Sequence, residues 1–414
     1  MTSRERVLAA LEHREPDRVP LDLGGSFVTS ITAVALDELR RHLRLQERPV
    51  KVVDAYQMLG EVEMDVVERL HLDCLPVEPP VLTMGLRREH WKPWRLMDGR
   101  EVLMPGEFEV QMTPEGDWLF SPPGSTSGVP TAKMPRGGFY FDTLGETAWN
   151  FDWEPPPLAD MAREFESAIA SEEDLAHMAQ RAALLRRTTD KALVLNCWGM
   201  LGPRHIGTMP DFLCLLGRNP GYVRGLFDLA TEVGLRNLRL MWDAIGEDID
   251  VVVISGLDFG TQKAELFSRQ TFREVYLPCL QAHYEWIRTH TTWKSFEHSC
   301  GCMTSIIGDM AEAGLDAINP VQTSAAGMDP AWLKTTWGDR LTFWGGGVET
   351  QSTLPFGTPE QVRAEVAERV RLFAPGGGFV FCPIHNVQPQ TPPENIVAAY
   401  GAAYEYGRYP IASA

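Results

Sequence analysis

Few features of this sequence announce a function outright. Its 414 residues include only seven cysteines, at positions 74, 197, 214, 279, 300, 302 and 382. None stands in a C-x-x-C spacing and no H-E-x-x-H occurs, so the common zinc signatures are missing. The odd count and the scatter exclude a disulfide framework and suit a reducing compartment. An excess of cations is lacking too: 38 Lys and Arg against 56 Asp and Glu leave a net charge of −18. Such a chain is a poor partner for nucleic-acid phosphates or an anionic membrane. No run approaches the roughly eighteen apolar residues of a membrane span. The opening MTSRERVLAALEHREPDRVP is a charged amphipathic helix without the apolar stretch of a signal peptide. The expectation is a cytoplasmic globular protein that meets small molecules or other proteins. Glycine triplets at 345–347 and 376–378 fit neither G-x-G-x-x-G nor the Walker pattern and read as strand-end turns.

What is present is repetition of one local pattern. Apolar runs of four to six residues recur, each followed by a loop and a segment of helical period. Eight stand out: VPLDL (19–23), LDCLPV (72–77), ALVLNC (192–197), DVVVIS (250–255), WKSFEH (293–298), LDAINP (315–320), LTFWGG (341–346) and GFVFC (378–382). Runs without polar alternation suit parallel strands buried on both faces, and eight of them close a barrel. The fold class expected is α/β, a (β/α)8 TIM barrel in one domain spanning 1–414. Residues 96–142 depart from the pattern, with short alternating stretches between D-G, P-G and E-G-D turns. They read as an inserted antiparallel β-meander, either a lid over the barrel mouth or a homodimer contact.

In such a barrel the active site lies at the C-terminal strand ends. Polar residues collect there: Asp22 after the first run, Asn196 and Trp198 after the third, Asp258 and Gln262 in GLDFGTQ after the fourth. His298 and Cys300 end the fifth in SFEHSCGCM, Glu349 follows the seventh, and Cys382, His385 and Asn386 follow the eighth. Asp258 and Glu349 are the candidates for orienting substrate or exchanging protons, and Gln262, Asn386 and Trp198 for binding it. A histidine and a cysteine two apart at a strand end can face one side. A third ligand from a neighbouring strand end would make a three-ligand site with an open position, the arrangement of catalytic zinc. The competing reading makes Cys300 a small buried hydrophobe and His298 a hydrogen-bonded barrel residue.

The segments RERVLAALEHREPDRVPLDLGG, GLDFGTQ, HSCG, DAINPVQ, GDRLTFWGG, LPFGTPEQV, APGGGFVF and HNVQPQTPPENI together resemble the uroporphyrinogen decarboxylase superfamily, most of all its corrinoid-linked methyltransferase branch. The resemblance implies a distorted (β/α)8 barrel and a zinc site built from H-x-C, here His298 and Cys300, and a later cysteine. Counted back from TPPEN, that cysteine position falls on His385, while the nearby cysteine is Cys382; either is a candidate third ligand. The decarboxylase branch resembled carries an arginine-rich N-terminal segment for tetrapyrrole carboxylates. The corresponding PLDLGGSFVTSITAVA has no arginine, and Leu257 stands where related sequences often carry an acid. The resemblance therefore implies a zinc-dependent methyltransferase, moving a methyl group between a small methylated substrate or thiol and a corrinoid. With no D-x-H-x-x-G segment here, the corrinoid would ride on a partner protein. The alternatives are a metal-free decarboxylase or lyase with Asp258 and His385 as acid and base, and a non-catalytic corrinoid or tetrapyrrole chaperone.

Overall fold

A computed structural model describes residues 1–81, 83–125, 129–144, 153–197 and 199–411. Seven of the eight apolar runs form one sheet. In spatial order its strands are Phe379–Val380, Thr342–Trp344, Ala317–Asn319, Lys294–His298, Val251–Ser255, Ala192–Asn196 and Cys74–Val77. Every pairing among them is parallel. Their side chains alternate between two apolar layers. Cys74, Val194, Val253, Phe296, Ala317, Trp344 and Val380 share the inner one, and Leu75, Leu195, Val252, Ile318, Phe343 and Phe379 belong to the outer. Apolar cover on both faces is why these runs show no polar alternation. The helix Ser3–Leu11, opened by a capping box between Thr2 and Glu5, adds Val7, Ala10 and Leu11 to the inner layer.

The sheet curls until its two edges meet the chain around Leu21. On one side Phe381 N donates to Pro20 O and Asp22 N to Phe381 O, both at 2.9 Å; on the other Asp73 N donates to Leu21 O at 2.8 Å. The run VPLDL is therefore an isolated parallel bridge at Leu21 and not the regular strand expected of it. Pro20 has no N–H to offer a ladder, and the Leu21 N–H goes instead to Asp73 Oδ2 at 2.8 Å.

That last bond belongs to a repeated device. An aspartate at the entry to a strand reaches across to a backbone N–H of its neighbour: Asp73 to Leu21, Asp250 Oδ2 to Leu193 N at 2.8 Å, and Asp316 Oδ2 to Ser295 N at 2.9 Å. Each carboxylate is also paired with cations, Arg6 and Arg18 on Asp73, Arg4 and Arg186 on Asp250, Lys294 on Asp316. Buried charge is tolerated at this end of the sheet because every such carboxylate has both a cation and backbone donors.

The region expected to be a single inserted meander is divided between two sheets. Strands Lys92–Arg95 and Glu101–Met104 form a hairpin that joins Val50–Asp54 and Leu59–Gly60, with Glu101–Met104 parallel to Val50–Asp54. The short strands Val110–Met112, Trp118–Phe120, Ala132–Met134 and Asp142–Thr143 form a separate antiparallel sheet. Sequence reading passed over Val50–Asp54, whose half-buried lysine interrupts the apolar run. Trp94, Phe108, Phe120 and Phe141 pack edge to face or stacked between these sheets. Among the described residues no helix is long and apolar enough to cross a membrane.

Candidate metal centre

The strand Lys294–His298 delivers His298 to the sheet's C-terminal rim, buried among its neighbours. The chain then turns sharply at Gly301, φ 87°. There it passes so close to the loop after Val251–Ser255 that a Cβ on Gly301 would fall 2.4 Å from the Gly260 backbone. A glycine is needed on both counts. Cys302 N donates to Thr261 O at 2.8 Å and Phe259 N to Ser299 Oγ at 2.8 Å, so the two loops hold each other. Asp258 completes the clasp, its Oδ1 accepting from Cys300 N at 2.8 Å. This carboxylate orients Cys300 through the backbone.

Three potential ligands converge where these loops meet the one after Phe379–Val380. One ligand atom each of His298, Cys300 and His385 lies within 4.8 Å of the other two. Cys300 Sγ is 3.4 Å from His298 Nε2, and the two imidazoles sit edge to face with centroids 5.3 Å apart. Burial pushes His298 below its ordinary pKa, and burial together with the adjacent His298 pushes His385 down to about 4. Both rings are therefore neutral near pH 7, the form that binds metals. Burial, then the Asp258 carboxylate, pushes the Cys300 thiol up.

The second ring nitrogen of His298 is committed. His298 Nδ1 is hydrogen-bonded to Asn319 Oδ1, and Asn319 Nδ2 donates to Trp344 O at 2.7 Å. Because the Trp344 carbonyl needs a donor, the Asn319 amide can face only one way, so Nδ1 carries the proton and Nε2 presents its lone pair toward Cys300. His385 is held differently. Its backbone is left-handed, φ 74°, and Asn386 N donates to His385 Nδ1 at 2.8 Å. Its proton then sits on Nε2, so ligation requires either that proton or the Asn386 bond to yield. A non-glycine residue in this conformation at a ligand position is the kind of local strain that collects at functional sites.

Of the other residues singled out from sequence, Cys382 stands apart from this group. It lies wholly buried in the inner apolar layer, 3.8 Å from Asn319 Nδ2, outside the three-ligand group, and burial drives its thiol far up. Asn386 is buried and spent on structure, accepting from Ser30 N at 2.6 Å and donating to Phe27 O and Gln57 Oε1. Glu349 is buried behind the rim, accepting from Gln351 N at 3.1 Å. Gln262 donates to Gln351 Oε1 at 3.0 Å across the opening of a cavity of about 250 Å³ that Cys300 and His385 also line. Asp258 and Glu349 do not line it. Trp198 lies outside the described residues. Sequence reasoning missed Asn319, Gln322 and Gln351. The signal was available for the first two, since DAINPVQ ends an apolar strand on polar residues as the other runs do.

Residues 205–406 match the family model of uroporphyrinogen decarboxylase (URO-D). That stretch, a little under half of the chain, is similar to the uroporphyrinogen decarboxylase family domain. All three candidate ligands and Asp258 fall inside it. Among curated proteins, the chain is 28% identical over 179 residues to "Methylcobamide:CoM methyltransferase MtaA" of Methanosarcina barkeri, covering 43% of this chain and 48% of that protein. It is 24% identical over 200 residues to "Uroporphyrinogen decarboxylase" of Magnetococcus marinus, covering 45% and 52% respectively. The chain thus spans about half the length of the curated relatives it matches. Among solved structures, a "methyltransferase from Methanosarcina mazei" aligns over 98% of this chain and 99% of its own, with a TM-score of 0.58 and 18% identity. That likeness establishes a shared fold over the length of the chain.

Proposed function

We propose that this protein is a zinc-dependent methyltransferase that moves a methyl group between a small molecule and a corrinoid carried on a partner protein. The observation that carries the reading is the convergence of His298, Cys300 and His385 within 4.8 Å. Two imidazoles and a thiol suit zinc, and three protein ligands leave a position for substrate. The donor chemistry fits: both rings are neutral, and His298 already presents Nε2. Bound there, zinc would act as a Lewis acid that favours the deprotonated form of a ligated thiol or hydroxyl.

The chain's own residues supply the rest. Asp258 fixes Cys300 through its backbone N–H, and Asn319 fixes the tautomer of His298. Gln262 and Gln351 close one side of the cavity. Support from relatives comes from the name methylcobamide:CoM methyltransferase, and from a decarboxylase relative only at the level of the family. The absence of arginine from PLDLGGSFVTSITAVA weighs against a polycarboxylate substrate.

The test is transfer from free methylcobalamin to a small thiol, followed by loss of the methylcobalamin absorbance. Turnover in the zinc-loaded protein that a chelator abolishes supports the reading. Equal turnover after chelation would contradict the zinc mechanism.

A further inference from the structure

The cavity beside the candidate ligands has a lining that selects by charge. It holds about 250 Å³, the share of roughly eight liquid water molecules. Its polar walls are the amides Gln262, Gln322 and Gln351 and the hydroxyls Thr261 and Thr350, with Pro320 and Ile384 as apolar surface. Among the described residues no lysine, arginine, aspartate or glutamate lines it. Lys263, next to Gln262 in the chain, is exposed outside the lining.

The hydrogen-bonding capacity of these walls is partly fixed. Thr261 Oγ1 donates to Ala264 O at 2.9 Å and Thr350 Oγ1 to Ile384 O, so both hydroxyl protons are spent on the protein. Gln322 Oε1 accepts from Gly301 N at 2.8 Å. A backbone N–H can only donate, so this amide faces one way and its nitrogen is the end left for whatever enters.

Charge balance points the same way. A ligand that brought an anionic group beside its metal-binding atom would place that charge where no lysine or arginine lines the cavity to pair with it.

Resting on the proposed metal centre, we infer that the small molecule admitted beside His298, Cys300 and His385 is uncharged apart from the atom that meets the metal. It carries a hydrogen-bond acceptor for Gln322 Nε2. An alcohol, ether or amide group next to a thiol or hydroxyl fits; a sulfonate or carboxylate does not.

Two thiols of equal length test this by calorimetric titration into zinc-loaded protein, with zinc content measured in the same samples. 2-Mercaptoethanol should bind at least about tenfold more tightly than 2-mercaptoethanesulfonate. Gln322→Ala should weaken the neutral thiol about fivefold, the scale of one hydrogen bond, and leave the sulfonate unchanged. Gln322→Arg should reverse the preference. Equal or tighter binding of the sulfonate by the unaltered protein would overturn the inference while leaving the metal centre standing. Binding of neither thiol at full zinc occupancy would overturn the inference with the metal centre still standing, and failure to retain zinc would overturn the metal centre and the inference with it.

Discussion

His298 and Asn319 form a pair in which the asparagine decides the chemistry of the histidine. The Asn319 amide is anchored by its donation to Trp344 O, and its oxygen therefore takes the His298 Nδ1 proton. Asn319→Ala should release the ring, let it take either tautomer and lower zinc affinity by about ten- to a hundredfold, the range seen when such supporting partners are lost. Zinc titrations against a competing chelator read the change. Unaltered affinity in a folded variant would mean that the pair serves packing alone.

Metal uptake should release close to one proton per site near pH 7. The His385 pKa of about 4 and the lowered one of His298 mean that neither ring has a proton to lose at that pH. The Cys300 thiol, raised by burial and by Asp258, has one to lose on becoming a thiolate. Zinc affinity should accordingly rise about tenfold per pH unit from pH 6 to 8. Calorimetry in buffers of differing ionisation enthalpy gives the proton count, and a count near two would indicate a second thiol in the site.

Cys382 and His385 separate cleanly in this geometry. Cys382→Ala should keep zinc at the level of the unaltered protein, because the thiol lies in the inner apolar layer, and should lower stability by about 1 kcal/mol for the lost packing. His385→Ala should lose zinc binding while folding normally. The opposite pattern would place the third ligand at Cys382.

Much of this was legible in the chain. Seven apolar runs became neighbouring parallel strands because unbroken Val, Ile, Leu and Phe sequences answer to a sheet covered on both sides. VPLDL failed as a strand for a reason also present in the sequence, its proline. His298 and Cys300 were visible as a pair, since H-x-C at a strand end needs no tertiary knowledge. Whether Cys382 or His385 joined them could not be read. The left-handed turn at His385 decides which side chain swings to the rim, and a β or left-handed backbone at one histidine leaves no mark on sequence periodicity. The hydrogen bonds that engage Asn386 could not be read either, because its partners Phe27, Ser30 and Gln57 are more than 300 positions away.

Glu297, next to His298 in sequence but on the strand's outer face against Tyr284, sets a pH dependence of stability. Burial raises its carboxyl to about 8, only partly offset by hydrogen bonds with Ser255 and Tyr284. The folded protein thus keeps a proton that the unfolded chain sheds above about pH 4.5. Stability contributed by this proton is complete below that pH and declines as pH rises through 8, by a few kcal/mol in all. Glu297→Gln should flatten this slope between pH 5 and 8 in denaturant unfolding. A variant with the slope of the unaltered protein would show that Glu297 ionises normally.

The central claim is a metal held by His298, Cys300 and His385, and metal content tests it most directly. Elemental analysis of protein purified without chelator should find about one zinc per chain, and Cys300→Ser, folded by circular dichroism, should lose most of it. Unaltered protein that holds no zinc even after incubation with the ion, or a Cys300→Ser variant that retains it fully, would contradict the account.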